Sequence, residues 1–159
     1  MFDLDEFLHY FGRVRDRTRR LAACIPPERV EWTYKTGAFT LGDLVRHIAV
    51  TERFIWAETV HNRQVAYVSH GRELADGRDA ILTFFDRLHE ESLVYFRALT
   101  PAGTPLTTWK WLRMMPEHEI HHRGQLYTML GMLNVPTPPL YGLTSDDVKA
   151  RSTGLNHDV

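Results

Sequence analysis

The stretch Met115-Pro-Glu-His-Glu-Ile-His-His-Arg-Gly-Gln-Leu-Tyr-Thr-Met-Leu-Gly-Met-Leu133 decides both fold and chemistry. At about 100° per residue, Met115, Leu126, Met129 and Leu133 share one face of a helix, and His118, His122 and Gln125 fall on that same face. His118 and His122 are four residues apart, so their side chains stack and turn inward with the apolar residues. A buried polar group left unpaired costs about 1–3 kcal/mol. One shared metal ion satisfies both rings, and this is the spacing at which a helix offers two imidazoles to one metal. The plainer alternative is that one or both rings hydrogen-bond to buried carbonyls or water; an inward pair favours the metal. His121 sits about 60° to the side of His118 and reads as a flanking or surface histidine.

Working outward, the helical pattern around this stretch runs from about Thr107 to Leu133 and is ended by Asn134-Val-Pro-Thr-Pro-Pro139. Pro116 lies inside it, which predicts a kink or a restart. Thr100-Pro-Ala-Gly-Thr-Pro105 is a break. Before it, Ile81, Phe85, Leu88, Ser92, Tyr95, Phe96 and Leu99 predict a helix from about Gly77 to Leu99, and residues 65–78 read mostly as loop. Another helix should start at Thr40, a good N-cap with Asp43 favouring the positive helix end. Its stripe is Leu41, Leu44, Val45, Ile48, Ile55 and Trp56. The first helix, Leu4 to Ile25, carries Leu4, Phe7, Phe11, Val14, Thr18, Leu21 and Ile25 on one face and is stopped by Pro26 and Pro27. A short helix near Ser145 to Ala150 precedes a loose tail. No internal repeat or strand-like alternation appears. The expectation is an all-α four-helix bundle forming a single domain over residues 1–159, with a core of about 1–142 and a tail of about 143–159.

The composition agrees. The 159 residues suit one domain, 43% are hydrophobic and 25% charged, and the net charge is −1. That balance gives no reason to expect nucleic acid or an anionic membrane as partner. The crowd Arg13, Arg15, Arg17, Arg19 and Arg20 reads as a solvated face of the first helix. Cys24 is the single cysteine, so no intrachain disulfide can form, which suits a reducing compartment. The start, MFDLDEF, lacks the apolar core of a signal peptide. No apolar run approaches the ~18 residues of a membrane span. The expected address is the cytoplasm.

A catalytic zinc-type site takes three protein ligands and an open position. Of the nine histidines, His47 is the best third ligand: it flanks the apolar stripe of the second helix, two turns from its start. His89, next to Leu88 on the third helix, is the runner-up. His9, His61, His70 and His157 read as surface histidines on polar faces, in loops or in the tail.

His118-Glu-Ile-His-His122 also matches H-E-x-x-H, in which Glu119 would be the general base of a metalloprotease. The extended signature wants histidine at position 128, which is Thr128, and no glutamate follows Glu119. Asp146 and Asp147 are the only nearby late carboxylates, and a strand-bearing half-domain is missing. The protease reading is therefore disfavoured.

At these residues the sequence resembles the DinB family of DinB/YfiT-like metalloenzymes. The carriers are His118-Glu-Ile-His-His-Arg-Gly-Gln-Leu126, Thr40-Leu-Gly-Asp-Leu-Val-Arg-His47, and Leu130-Gly-Met-Leu-Asn-Val-Pro136 followed by Leu140-Tyr-Gly142. The resemblance spans nearly the whole chain and implies a four-helix bundle, often a homodimer, with nickel, zinc or a similar divalent ion on three histidines. Carried over, those ligands fall on His47, His118 and His122. Some relatives resemble transferases that use a low-molecular-weight thiol such as bacillithiol or mycothiol. The implied function is activation of such a thiol for attack on a small electrophile. The alternatives are metal-dependent hydrolysis and a non-catalytic metal-binding stress-response role. Gln125 is a candidate to orient a bound ligand. Arg123 is a candidate to hold a substrate carboxylate, or otherwise to form a surface or dimer salt bridge.

Overall fold

Asp3 opens the first helix in the computed structural model, which describes residues 3–99 and 106–152. Its carboxylate accepts from the backbone N–H groups of Asp5 and Glu6, two donors the helix cannot satisfy itself. Helix α1 spans Leu4–Ala22. The predicted face is inside, with Phe7, Phe11, Val14, Thr18 and Leu21 buried. The α-helix stops three residues earlier than expected, and Ile25 is buried from the turn that follows.

Helix α2 begins as Leu41–Thr51, widens into a π-helical turn over Glu52–Trp56 and ends in Ala57–Thr59. Thr40 caps it as expected, and the cap is reciprocal. Thr40 Oγ1 accepts from Asp43 N–H while Asp43 accepts from Thr40 N–H, both at 3.0 Å. Gly42 is needed for close approach: its N–H donates to the Val30 carbonyl at 2.7 Å, and an added Cβ would lie 2.8 Å from Val30 Cγ1.

Helix α3 spans Arg78–Arg97, entered through Gly77 at φ +86°, a left-handed conformation that favours glycine. Helix α4 spans Leu106–Met132. It runs helically through Pro116, so of the expected kink or restart the restart does not occur. A short α5, Ser145–Ser152, follows. The predicted break at residues 100–105, the end of the tail and His157 lie outside the described residues.

The described residues are all helical or irregular, with no strand among them. Helix α1 packs on α4 and α3, while α2 packs on α3 and α4. The neighbouring pair α2 and α4 is the one that matters for the histidines. Two apolar clusters fill the bundle. One gathers Leu21, Ile25, Leu44, Ile48, Phe85 and Leu126. The other gathers Phe7, Phe11, Val14, Phe96, Leu112 and Met115.

The bundle also holds a buried polar group drawn from all four helices. Arg15 of α1 pairs with Glu52 of α2 at 2.9 Å and with Glu119 of α4 at 3.1 Å. Glu52 in turn lies 2.7 Å from Nδ1 of His89 on α3. Arg15 therefore departs from the solvated face expected of the arginine run. It adjoins Val14 and Phe11 on the inner side of α1, and its guanidinium sits 3.5 Å over the Phe85 ring.

Candidate metal centre

Residues 46 and 47 of α2 divide the work of building this centre. Arg46 is fully buried, an unusual place for a guanidinium. Glu31 and Asp43 neutralise it. It donates to the backbone carbonyls of His70 and Ala75 at 2.7 and 2.8 Å, which fastens the 63–77 segment across α2. His47, one residue on, turns toward α4.

There it meets the stacked pair. His47 Nε2 and His118 Nε2 face each other at 3.2 Å. The ring centroids of His47 and His122 are 4.6 Å apart, and those of His118 and His122 are 4.5 Å apart. One ligand-type nitrogen from each ring lies within 4.8 Å of the other two. Nitrogens bound about 2.0–2.1 Å from one tetrahedral ion are about 3.3 Å apart, so the spacing fits a shared divalent cation. Among the described residues, no fourth histidine, cysteine or carboxylate joins the group.

The electrostatics also favour a cation. Burial, then repulsion from His122 and His70, pushes His47 down to about 4. Burial, then repulsion from His122, His47 and His121, pushes His118 down to about 3. Burial lowers His122 as well, opposed by its hydrogen bond to Gln125. At neutral pH the rings are uncharged, with lone pairs available to a metal.

A family model described as the DinB superfamily matches residues 10–126, a span containing all three histidines. The chain belongs to the DinB superfamily. A search of curated proteins finds no match.

The structure places the other sequence candidates of this DinB chain variously. Gln125 Oε1 lies 2.7 Å from His122 Nδ1, so its amide orients a ring of the cluster. Arg123 is buried and donates to the Val14 carbonyl at 3.0 Å, with a long contact to Tyr141 Oη. Its guanidinium thus ties α4 to α1. Glu119 is 2% exposed and paired with Arg15, which takes it out of reach as a general base. That placement does not suit Glu119 to the general-base role the H-E-x-x-H match would give it. His89 is engaged with Glu52 rather than with the cluster. His121 is exposed, its ring 4.9 Å from that of His122. His61 lies 2.8 Å from the Tyr95 carbonyl.

Sequence reasoning missed Phe39, Tyr67 and His70. The Phe39 ring stands 5.1 Å from His47 and 4.7 Å from His70. Tyr67 Oη is 2.9 Å from His47 Nδ1 and 2.8 Å from His70 Nδ1. Tyr67 and His70 come from an aperiodic segment, where no hydrophobic pattern reports which side chain turns inward. Beside the cluster, a cleft of about 390 Å³ is lined by Tyr34, Phe39, Gln125, Met129 and Met132 among others.

Proposed function

We propose that this DinB protein is a metal-dependent transferase that activates a low-molecular-weight, bacillithiol-type thiol for attack on a small electrophile. His47, His118 and His122 would hold the ion, with zinc or nickel suited to an all-imidazole donor set. A bound divalent ion supplies Lewis acidity, which favours loss of a proton from a thiol or water nearby. The observation that carries the reading is the convergence of three uncharged imidazoles with no protein carboxylate among them. Neutral ligands leave the cation's charge uncompensated, which favours an anionic thiolate over a neutral thiol.

In the net reaction the thiol sulfur forms a bond to the electrophilic carbon, the bond to the leaving group breaks, and the thiol proton goes to solvent. The chain's own residues prepare this. Gln125 holds the His122 ring. Tyr34, Phe39, Met129 and Met132 offer an apolar wall for the electrophile beside the cluster. The hydrolase alternative is less favoured, because Glu119, the nearest candidate base, is paired with Arg15 inside the bundle. We extend the proposal to a homodimer, consistent with the exposed apolar side chains Ile120, Tyr127 and Met132 on α4.

The test is metal analysis of untagged protein, wild type and His122→Ala, followed by a transfer assay with bacillithiol and monochlorobimane. The expected result is one ion per chain in wild type, loss in the variant, and metal-dependent thioether formation. Metal uptake without transfer to any thiol tried would favour the non-catalytic alternative. Full metal content in all three histidine-to-alanine variants would remove the site.

A further inference from the structure

Behind His47, on the side away from the cluster, stands a hydrogen-bonded chain. His47 Nδ1 lies 2.9 Å from Tyr67 Oη, and Tyr67 Oη lies 2.8 Å from His70 Nδ1. With a cation on His47, the donor and acceptor roles along this chain follow from what each atom has to give. His47 turns Nε2 toward His118; a cation held there would take the Nε2 lone pair and leave the ring proton on Nδ1, to donate to Tyr67 Oη. A phenol has one proton, and the remaining partner is His70 Nδ1, which accepts it. His70 then carries its own proton on Nε2. Every atom has one task and the chain runs in one direction.

The chain is also mounted. Arg46 holds the His70 carbonyl at 2.7 Å and the Ala75 carbonyl at 2.8 Å. The residue adjoining a ligand candidate thus anchors the backbone that carries the ring's partners. Phe39 packs against both His47 and His70 and closes one side of the group.

We propose that Tyr67 and His70 are positioning residues that hold His47 in the tautomer and orientation a divalent cation needs, on a strap tied down by Arg46. This rests on reading the three histidines as a metal site. A metal-binding imidazole is oriented by the partner of its other nitrogen, and losing such a partner weakens binding by about 10–100-fold.

The experiment is zinc titration against a chromophoric chelator for wild type, Tyr67→Phe, His70→Ala, the double variant and Arg72→Ala. Tyr67 is 48% exposed, so removal of its hydroxyl leaves the core intact. Tyr67→Phe should weaken zinc binding about 10–100-fold. His70→Ala should weaken it in the same direction, and the double variant should be no weaker than Tyr67→Phe. That follows because His70 acts through Tyr67, and non-additivity is the mark of groups acting in series. Arg72, in the same strap, pairs with Asp76 instead, so Arg72→Ala should bind zinc as wild type does. A slowly exchanging His47 imidazole N–H resonance should appear in zinc-loaded wild type and vanish in Tyr67→Phe. Wild-type protein that takes up no zinc overturns the metal reading and this inference together. Zinc-binding wild type with Tyr67→Phe within twofold of it, with additive losses, or with equal loss in Arg72→Ala, overturns this inference alone.

Discussion

At the scale of single residues, the histidines tie stability to pH with a definite sign. A histidine in the unfolded chain titrates near 6.5, whereas folded, metal-free His47 and His118 are pushed down to about 4 and about 3. Between those values the unfolded chain binds more protons, so acid favours unfolding. Metal-free protein should show a flat stability profile above about pH 7 and a steady loss as pH falls from 6.5 toward 4. Thermal melts of chelator-treated protein check this; His118→Gln should lose less over the same window, and identical slopes would contradict the assignment. Arg15 offers a second measurement. Arg15→Met leaves Glu119 buried without its cation and should cost about 3–5 kcal/mol in urea unfolding. Metal content of the folded fraction should be unchanged, because neither Arg15 nor Glu119 belongs to the histidine cluster. The pairing of His118 with His122 was readable in advance because helical spacing reports which side chains stack and face inward, while His47 was the better of two third-ligand candidates, His89 being the other. Arg15 and Glu119 were not readable, since a charge is placed in a core by partners on other helices, which no local pattern shows. Tyr67 and His70 failed for a related reason: a strap has no period.

At the scale of elements, the four long helices were readable almost to their ends, because caps, prolines and apolar stripes are local signals. The strongest departure is α2. Its stripe predicted one inner face, yet Arg46, Val50 and Gly42 are buried too. The 63–77 segment and the Val30 turn cover the outer side, and a segment without periodicity gives no warning that it will do so. Gly42→Ala tests this covering directly. The new methyl would meet Val30 and the Arg46 guanidinium, so overpacking of about 1–3 kcal/mol is expected by denaturant unfolding. The same substitution at Gly124, which has nothing within 4 Å of an added Cβ, should not destabilise. The π-helical turn is a second feature that periodicity hides. It adds a residue to one turn of α2 just where Glu52 enters the buried ion pairs. Pro116 marks the opposite limit: a local breaker was overridden because α4 buries Met115, Glu119 and Leu126 on the same face.

At the scale of the whole molecule, the histidine cluster draws on two neighbouring helices, α2 and α4. His47 belongs to α2, and His118 and His122 belong to α4, so an ion bound to all three cross-links the bundle in the folded state only. Binding to the folded state stabilises it by mass action, about 4 kcal/mol at a thousandfold excess over Kd. For a chain of this length each kcal/mol moves Tm by roughly 2–4 °C, so saturation should raise Tm on the order of 10 °C. The comparison that isolates the cross-link is His47→Ala. It leaves both α4 ligands in place and removes only the α2 arm, so the two remaining imidazoles can still meet an ion without joining helices. The metal-dependent rise should then largely disappear, while the metal-free Tm should stay close to that of wild type, since His47 sits at the edge of the apolar cluster. Calorimetry with and without zinc reads both quantities. A rise in Tm that survives in His47→Ala would mean that the ion is held on α4 alone, and the two-helix centre would have to be abandoned.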